Sequence, residues 1–312
     1  MCMTIRDKYI DPFTDFGFKH IFGTEKNKRF LISFLNDLLE LEDKIVEIKY
    51  RNLEKLGLKI TDRKAIFDIY CTDERDNSFI VELQRSQQKY FKDRSLYYTS
   101  FPIQEQSDRG SWDYSLTPIY FIGILEFSFD DMRKRENQES EKYLTKVKLC
   151  DIETNEIFYE KLTYYYLEMP KFRKTEQELS THLDKWLYYL NNLYDAKEIP
   201  EILKKDEIIE EAFSVAEFLA LDKDEQFSYQ QDLKARWDNQ ACLDFAKEEG
   251  FEDGLEQGIE RGMEQGIEKG LEDGAKKKQL EIAKNLLKVN VDIETIHLST
   301  GLSKKEIANL SF

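Results

Sequence analysis

Apolar positions along the first 130 residues change their period several times, and each change marks an element. In residues 26–39 (KNKRFLISFLNDLL), Phe30, Phe34 and Leu38 recur at helical spacing, and Leu31 and Leu35 widen the stripe into an amphipathic face. Residues 44–51 (KIVEIKYR) set Ile45, Glu47 and Lys49 against Val46, Ile48 and Tyr50, the alternation of a strand. Residues 64–71 (KAIFDIYC) and 79–85 (FIVELQR) are rich in β-formers and flank TDERDNS, a turn-forming stretch, which together predict a β-hairpin. A polar helix follows over about 87–106. Residues 116–127 (LTPIYFIGILEF) are then nearly all apolar, as a strand covered on both faces requires. The predicted order is helix, three strands, helix, strand.

Farther along, residues 143–166 keep β character around the turn DIETNE. Beyond Thr175, acidic residues interleave with Leu, Ile and Phe at helical spacing. Glycines then fall at 250, 254, 258, 262, 266, 270 and 274, each followed by an apolar residue and six of them by a glutamate one place further on. On a helix this stripe drifts about 40° per repeat and winds right-handed. Glycine costs a helix roughly 1 kcal/mol against alanine, so the seven together cost about 7 kcal/mol. Either a small-residue stripe lets two helices approach closely, or the segment is a flexible repeat. The unbroken apolar register favours the close-packed helices. The ending IETIHLSTGLSKKEIANL has the spacing of a helix-turn-helix, with Gly301 at the turn. Only two basic residues lie in its second helix, so a plain helical hairpin is preferred, with His297 a surface or capping residue.

The chain of 312 residues is 41% hydrophobic, enough for a sizeable core, and carries 62 acidic against 46 basic residues. The net charge of -16 excludes a basic coat for nucleic acid but not a local site. Its distribution matters more. Residues 131–249 hold 28 acidic against 18 basic residues, whereas residues 1–130 hold 22 against 19, so a polyanion would meet the first part. Cys2, Cys71, Cys150 and Cys242 lie far apart and suggest neither a zinc module nor a disulfide scaffold. No apolar run is long enough to span a membrane, and the first residues lack a signal-peptide core. A cytoplasmic protein without membrane association is expected.

The hairpin carries the sharpest chemistry. Asp68 interrupts one apolar strand, and Glu82 and Gln84 share a face of its partner. A symmetric turn centred near Arg75 sets Asp68 opposite Glu82, about 5 Å apart at Cβ. Two such carboxylates repel unless a proton or a cation lies between them. A hard divalent ion such as Mg²⁺ suits the pair. A half-exposed hairpin with polar residues on its wet face is the plain alternative.

The order of elements, with Asp68 on the second strand and E-x-Q on the third, resembles the PD-(D/E)xK nuclease superfamily. More closely, the chain resembles the Rpn family of recombination-promoting nucleases, or PD-(D/E)xK nuclease family transposases. The residues that carry this are DPFTDFGFKHIFG (11–23), FLISFLNDLL (30–39), IFDIYC with Asp68, IVELQ (80–84), RSLYY (94–98), PIYFIGIL (118–125), the glycine tail and the ending. The resemblance implies an α/β restriction-endonuclease-like core, a mixed central sheet flanked by helices, followed by a mainly helical C-terminal region. The expected divisions are a nuclease-like domain over 1–170, an acidic helical region over 171–249, the glycine repeat over 250–275 and a helical hairpin over 276–312.

It further implies a Mg²⁺-dependent DNA endonuclease in which Asp68 and Glu82 bind metal and Gln84 stands where the superfamily has lysine. A glutamine amide offers only neutral hydrogen bonds there, so a transposon-associated DNA-binding or protein-interaction protein with a degraded nuclease site is the alternative. Asp15 is a candidate accessory site residue or, equally, the N-cap of a turn at 16–20. Arg94, Lys89 and Lys92 are candidate DNA contacts. His20, between Phe18 and Phe22, reads as packed. Self-association through the C-terminal region is expected, since paired subunits can cut both strands of a duplex.

Overall fold

A computed structural model describes residues 8–52, 54–55, 65–107, 113–129 and 141–310. They form two compact units, one ending at Arg236 and one beginning at Trp237.

The first unit opens with α1 (Asp15–Phe22) and α2 (Lys28–Leu39). Thr14 caps α1, its hydroxyl accepting from Gly17 N at 2.9 Å. Asp15, a candidate for that cap, is instead the first helical residue. Gly17 has to be glycine, because a Cβ there would lie 2.1 Å from the Asp11 carbonyl oxygen. The apolar stripe of α2 is buried as its spacing predicts, with Phe30, Leu31, Phe34 and Leu38 all inside.

The strands follow: β1 (Ile48–Tyr50), the short pair β2 (Glu54–Lys55) and β3 (Ala65–Ile66), then β4 (Ile69–Asp73) and β5 (Ser78–Gln84). After α3 (Phe91–Ser107) come β6 (Ile119–Leu125), β7 (Leu144–Cys150) and β8 (Ile157–Glu168). A six-stranded mixed sheet runs β1-β4-β5-β6-β8-β7. Its centre is parallel (β5–β6 and β6–β8), and its flanks are antiparallel. β2 and β3 form a separate two-stranded ladder, so the segment predicted as one strand over 64–71 is divided between two sheets.

The β4–β5 hairpin has the predicted register: Ile69 pairs Val81, and Thr72 pairs Ser78. Asp73 fixes the turn. Its Oδ1 accepts from Arg75 N at 2.9 Å and Asn77 N at 2.8 Å, and Asp76 takes a left-handed φ of 59°.

Strand parity divides the core. Ile69, Cys71, Phe79, Val81, Ile122 and Ile124 face the layer formed by α1, α2, α4 (His182–Asn192) and α6 (Glu207–Val215), with α5 (Glu201–Lys204) between the last two. Trp186 sits at its centre among Phe22, Phe30 and Phe34. Tyr70, Ile80, Phe121, Tyr164 and Tyr166 face α3 through Phe91 and Phe101. Gly123 permits that contact, since an added Cβ would meet the Phe91 and Tyr166 rings at 3.3 Å. Burying about five apolar side chains on each face, at roughly 2 kcal/mol apiece, is what holds helices to both sides of the sheet.

α7 (Lys223–Lys288) begins in the first unit and continues into the second. The glycine repeat is therefore helical, not a flexible linker. Nothing lies within 4 Å of a Cβ built on any of its seven glycines, and Phe251, Leu255, Ile259, Met263, Ile267 and Leu271 are exposed. At its end, Ala283 packs with Ile296 of α8 (Ile293–Thr300) and Ile307 of α9 (Lys304–Ala308). Gly301, at φ 72°, ends α8, and Ser303 with Glu306 caps α9. His297 Nδ1 lies 2.7 Å from the Leu302 carbonyl oxygen, a local tie across that turn.

Candidate active site

The parity that sends Val81 to the α1–α2 layer sends Glu82 and Gln84 to the α3 face, where Asp68 meets them just before β4 begins. Asp68 and Glu82 are cross-linked through the backbone. Glu82 Oε1 accepts from Asp68 N at 3.1 Å, and Asp68 Oδ2 accepts from Leu83 N at 2.7 Å. One oxygen of each carboxylate is thus held in place, and among the described residues the other has no hydrogen-bond partner. Glu82 is only 4% exposed. Burial pushes the Asp68 carboxyl above the usual carboxylate range. It pushes Glu82 well above that range, and the charge of Asp68 adds to the effect.

Two cations bear on this pair without an ion pair to it. The charges of Lys19 and Arg94 both favour the ionised forms of Asp68 and Glu82. Lys19 is ion-paired to Asp15 at 2.8 Å, one turn apart on α1, and Asp15 in turn disfavours ionisation of Asp68. Arg51, half-exposed, pairs with Asp76 at 3.7 Å.

Asp15 and Asp68 line two adjoining clefts. One, of about 750 Å³, is walled by Phe16, Lys19, His20, Tyr50, Arg51 and, from α7, Glu225, Ser228, Gln231 and Asp232. The other, of about 280 Å³, is walled by Leu83, Gln84, Arg85, Ser86 and Gln88. His20 is packed as expected, stacked on Phe16 at 5.4 Å, and burial lowers its pKa.

Gln84 is buried and both ends of its amide are engaged: Nε2 donates to the Ser86 carbonyl at 2.8 Å, and Oε1 accepts from Arg94. One N–H and one lone pair remain for a ligand. Asp68, Glu82, Gln84, Asp15 and Arg94 are therefore brought together. None of Arg94, Lys89 and Lys92 lines either cleft; Arg94 joins the group through Gln84, whereas Lys89 and Lys92 lie over the rings of Tyr90 and Phe129. The sequence reasoning passed over Lys19 and the α7 wall. The i, i+4 spacing of Asp15 and Lys19 was a usable signal for the first; nothing local marks the second.

Among the described residues, no group of three or more His, Cys, Asp or Glu side chains could hold a metal ion. A pair of carboxylates still fits Mg²⁺, which takes one or two of them and completes its shell with water and phosphate. The raised pKa values agree, because the pair lacks a close counter-charge. No helix among the described residues is long and apolar enough to cross a membrane.

A mixed sheet with paired acids at its strand ends, flanked by helices on both faces, defines a nuclease-like α/β class. The family model of the PD-(D/E)XK nuclease family transposases matches residues 12–246, and the chain belongs to that family. Residues 276–311 match the C-terminal HTH domain of the Rpn/YhgA-like nuclease family. The plain hairpin preferred above for this ending is thus corrected: two lysines in a short second helix understate a helix-turn-helix. No curated protein and no solved structure matches the chain.

Proposed function

We propose that this chain is a divalent-metal-dependent DNA endonuclease, Mg²⁺ being the natural ion, acting in recombination or transposition. The observation that supports it best is the Asp68–Glu82 pair, Glu82 buried and Asp68 half-buried, cross-bonded through the backbone and without a cation in contact. When bound between them, the ion would supply Lewis acidity toward a phosphodiester and its attacking water. The chain's own residues would do the rest. Leu83 N and Asp68 N hold the two carboxylates at fixed orientation. Gln84 offers its remaining N–H to the water, and Lys19 moderates the negative field beside Asp15. Arg94, Lys89 and Lys92 contact phosphates along the duplex.

The C-terminal HTH domain would carry DNA binding apart from cleavage. A cytoplasmic location agrees with the free thiols of Cys71, Cys150 and Cys242. Self-association through α7 follows from its energetics, since about 7 kcal/mol of glycine cost in an exposed helix is offset when a second helix approaches the stripe. Truncation after Glu249 is expected to lower the oligomeric state by light scattering while the α/β unit stays folded. An unchanged state would refute pairing through the repeat.

Purified protein incubated with supercoiled plasmid is expected to nick or cut it with Mg²⁺ and not with EDTA. Asp68→Ala is expected to lower the rate at least about 100-fold with the fold intact. Undiminished cleavage by a folded, nuclease-free Asp68→Ala preparation would overturn the assignment. The glutamine at position 84 favours a second reading, a DNA-binding protein with a degraded site. A salt-sensitive gel shift in EDTA, with no cleavage under any divalent ion, would select it.

A further inference from the structure

The nuclease reading leaves the place of the superfamily's lysine to a neutral glutamine, yet a cation stands beside it. Arg94, one turn into α3, donates from Nη2 to Gln84 Oε1 and from Nη1 to Gln88 Oε1 at 2.6 Å. Both acceptors are uncharged amides. Arg29, Arg51, Arg75, Arg85 and Arg236 each pair with a carboxylate, whereas Arg94 makes no ion pair among the described residues. Its guanidinium lies over the Phe91 ring at 5.3 Å and the Tyr98 ring at 5.6 Å. Two aromatic faces and two amide oxygens thus fix its plane while leaving its charge unspent. That charge is felt at both Asp68 and Glu82, so it lies within the field of the site.

We propose that Arg94 is the catalytic cation of this site, binding the scissile phosphate from α3, and that Gln84 is the residue that positions it. The inference rests on the nuclease reading above. A guanidinium offers two parallel donors to two phosphate oxygens, a geometry that one ammonium lacks. In the hydrolysis, the water oxygen bonds to phosphorus and one P–O ester bond breaks. Water contributes its hydroxyl to the phosphate and a proton to the departing sugar oxygen. Arg94 stays protonated throughout and stabilises the charge that grows on the non-bridging oxygens. Gln84 is selected over lysine because a neighbouring ammonium would repel Arg94 and remove its acceptor.

The test uses the full chain, supercoiled plasmid with Mg²⁺, and Ca²⁺ binding by calorimetry. Arg94→Ala is expected to lower kcat at least about 100-fold, with Ca²⁺ affinity equal to or tighter than wild type because one repelling charge is gone. Guanidinium chloride at millimolar concentration is expected to restore the Ala variant and not Asp68→Ala. Gln84→Lys in the Arg94→Ala background is expected to recover at least tenfold. Wild-type cleavage rates in Arg94→Ala, beside an inactive Asp68→Ala, would overturn the inference and leave the nuclease reading standing. So would weakened Ca²⁺ binding, or failure of both rescues in a variant that melts like wild type, since either makes Arg94 structural. Undiminished cleavage in Asp68→Ala would instead bring down the nuclease reading itself.

Discussion

Two acidic pairs are buried in the first unit, and they have met burial in opposite ways. Asp11 and Glu126 share Arg236, whose Nε lies 3.2 Å from Asp11 Oδ2 and whose Nη2 lies 2.6 Å from Glu126 Oε1. Burial raises both of their pKa values, and the guanidinium in contact opposes it. Asp68 and Glu82 are buried comparably but have only backbone N–H groups in contact, and Glu82 is displaced well above its ordinary range. The first pair is closed electrostatically and ties the opening segment to the end of β6. The second has no such partner among the described residues, and in the proposed reading a divalent cation completes it. Burial of acids alone does not mark a site; burial without a resident counter-charge does.

The sharpest way to break this contrast is to open the closed pair. Arg236→Ala leaves Asp11 and Glu126 buried without their partner and is expected to cost about 3 kcal/mol by urea unfolding. A loss under 1 kcal/mol would mean that the two pairs do not differ in kind. A smaller, opposite effect is expected at the open pair. Glu82→Gln keeps an acceptor for Asp68 N, removes the repulsion and should stabilise the metal-free protein by about 1–2 kcal/mol. Ca²⁺ should raise the melting temperature of wild type and not of this variant.

The smallest effect is in pH. A carboxyl whose pKa is higher folded than unfolded makes the native state the better proton binder, so its penalty is full above the folded value and fades as pH falls toward the ordinary range near about 4.3. The stability gap between Glu82→Gln and wild type, without metal, should therefore narrow from pH 8 toward pH 5. A gap that widens on acidification would show that Glu82 is stabilised in its ionised form.

What the sequence disclosed was local. Period-two alternation and the Asp-rich turn fixed which residues face each other across the β4–β5 hairpin, because a register error would have turned Val81 out of the core. The helical stripe of α2 and the apolar run of β6 were legible for the same reason. The order of the sheet was not, since β8 reaches β6 in parallel across a connection whose pairing no local pattern encodes. Thr14 took the cap that is one of two equal readings for Asp15, because both residue types cap well and only the backbone geometry chooses. The meeting of Arg94 with Gln84 needed α3 to pack against the sheet, where Gly123 of another strand leaves room for the Phe91 ring.

The wall that α7 contributes to the larger cleft has a consequence for synthesis. Asp11 N is bound by the Tyr229 hydroxyl at 2.8 Å across 218 residues, and Phe16 N by Asp232 at 2.8 Å across 216. At ribosomal rates of about 5–20 residues per second, the opening motif waits about ten to forty seconds for these partners to be made. The two acids of the hairpin emerge early in that interval, within a sheet whose neighbouring surface is still missing. A nascent chain therefore carries Asp68 and Glu82 well before it carries the α7 wall of the larger cleft.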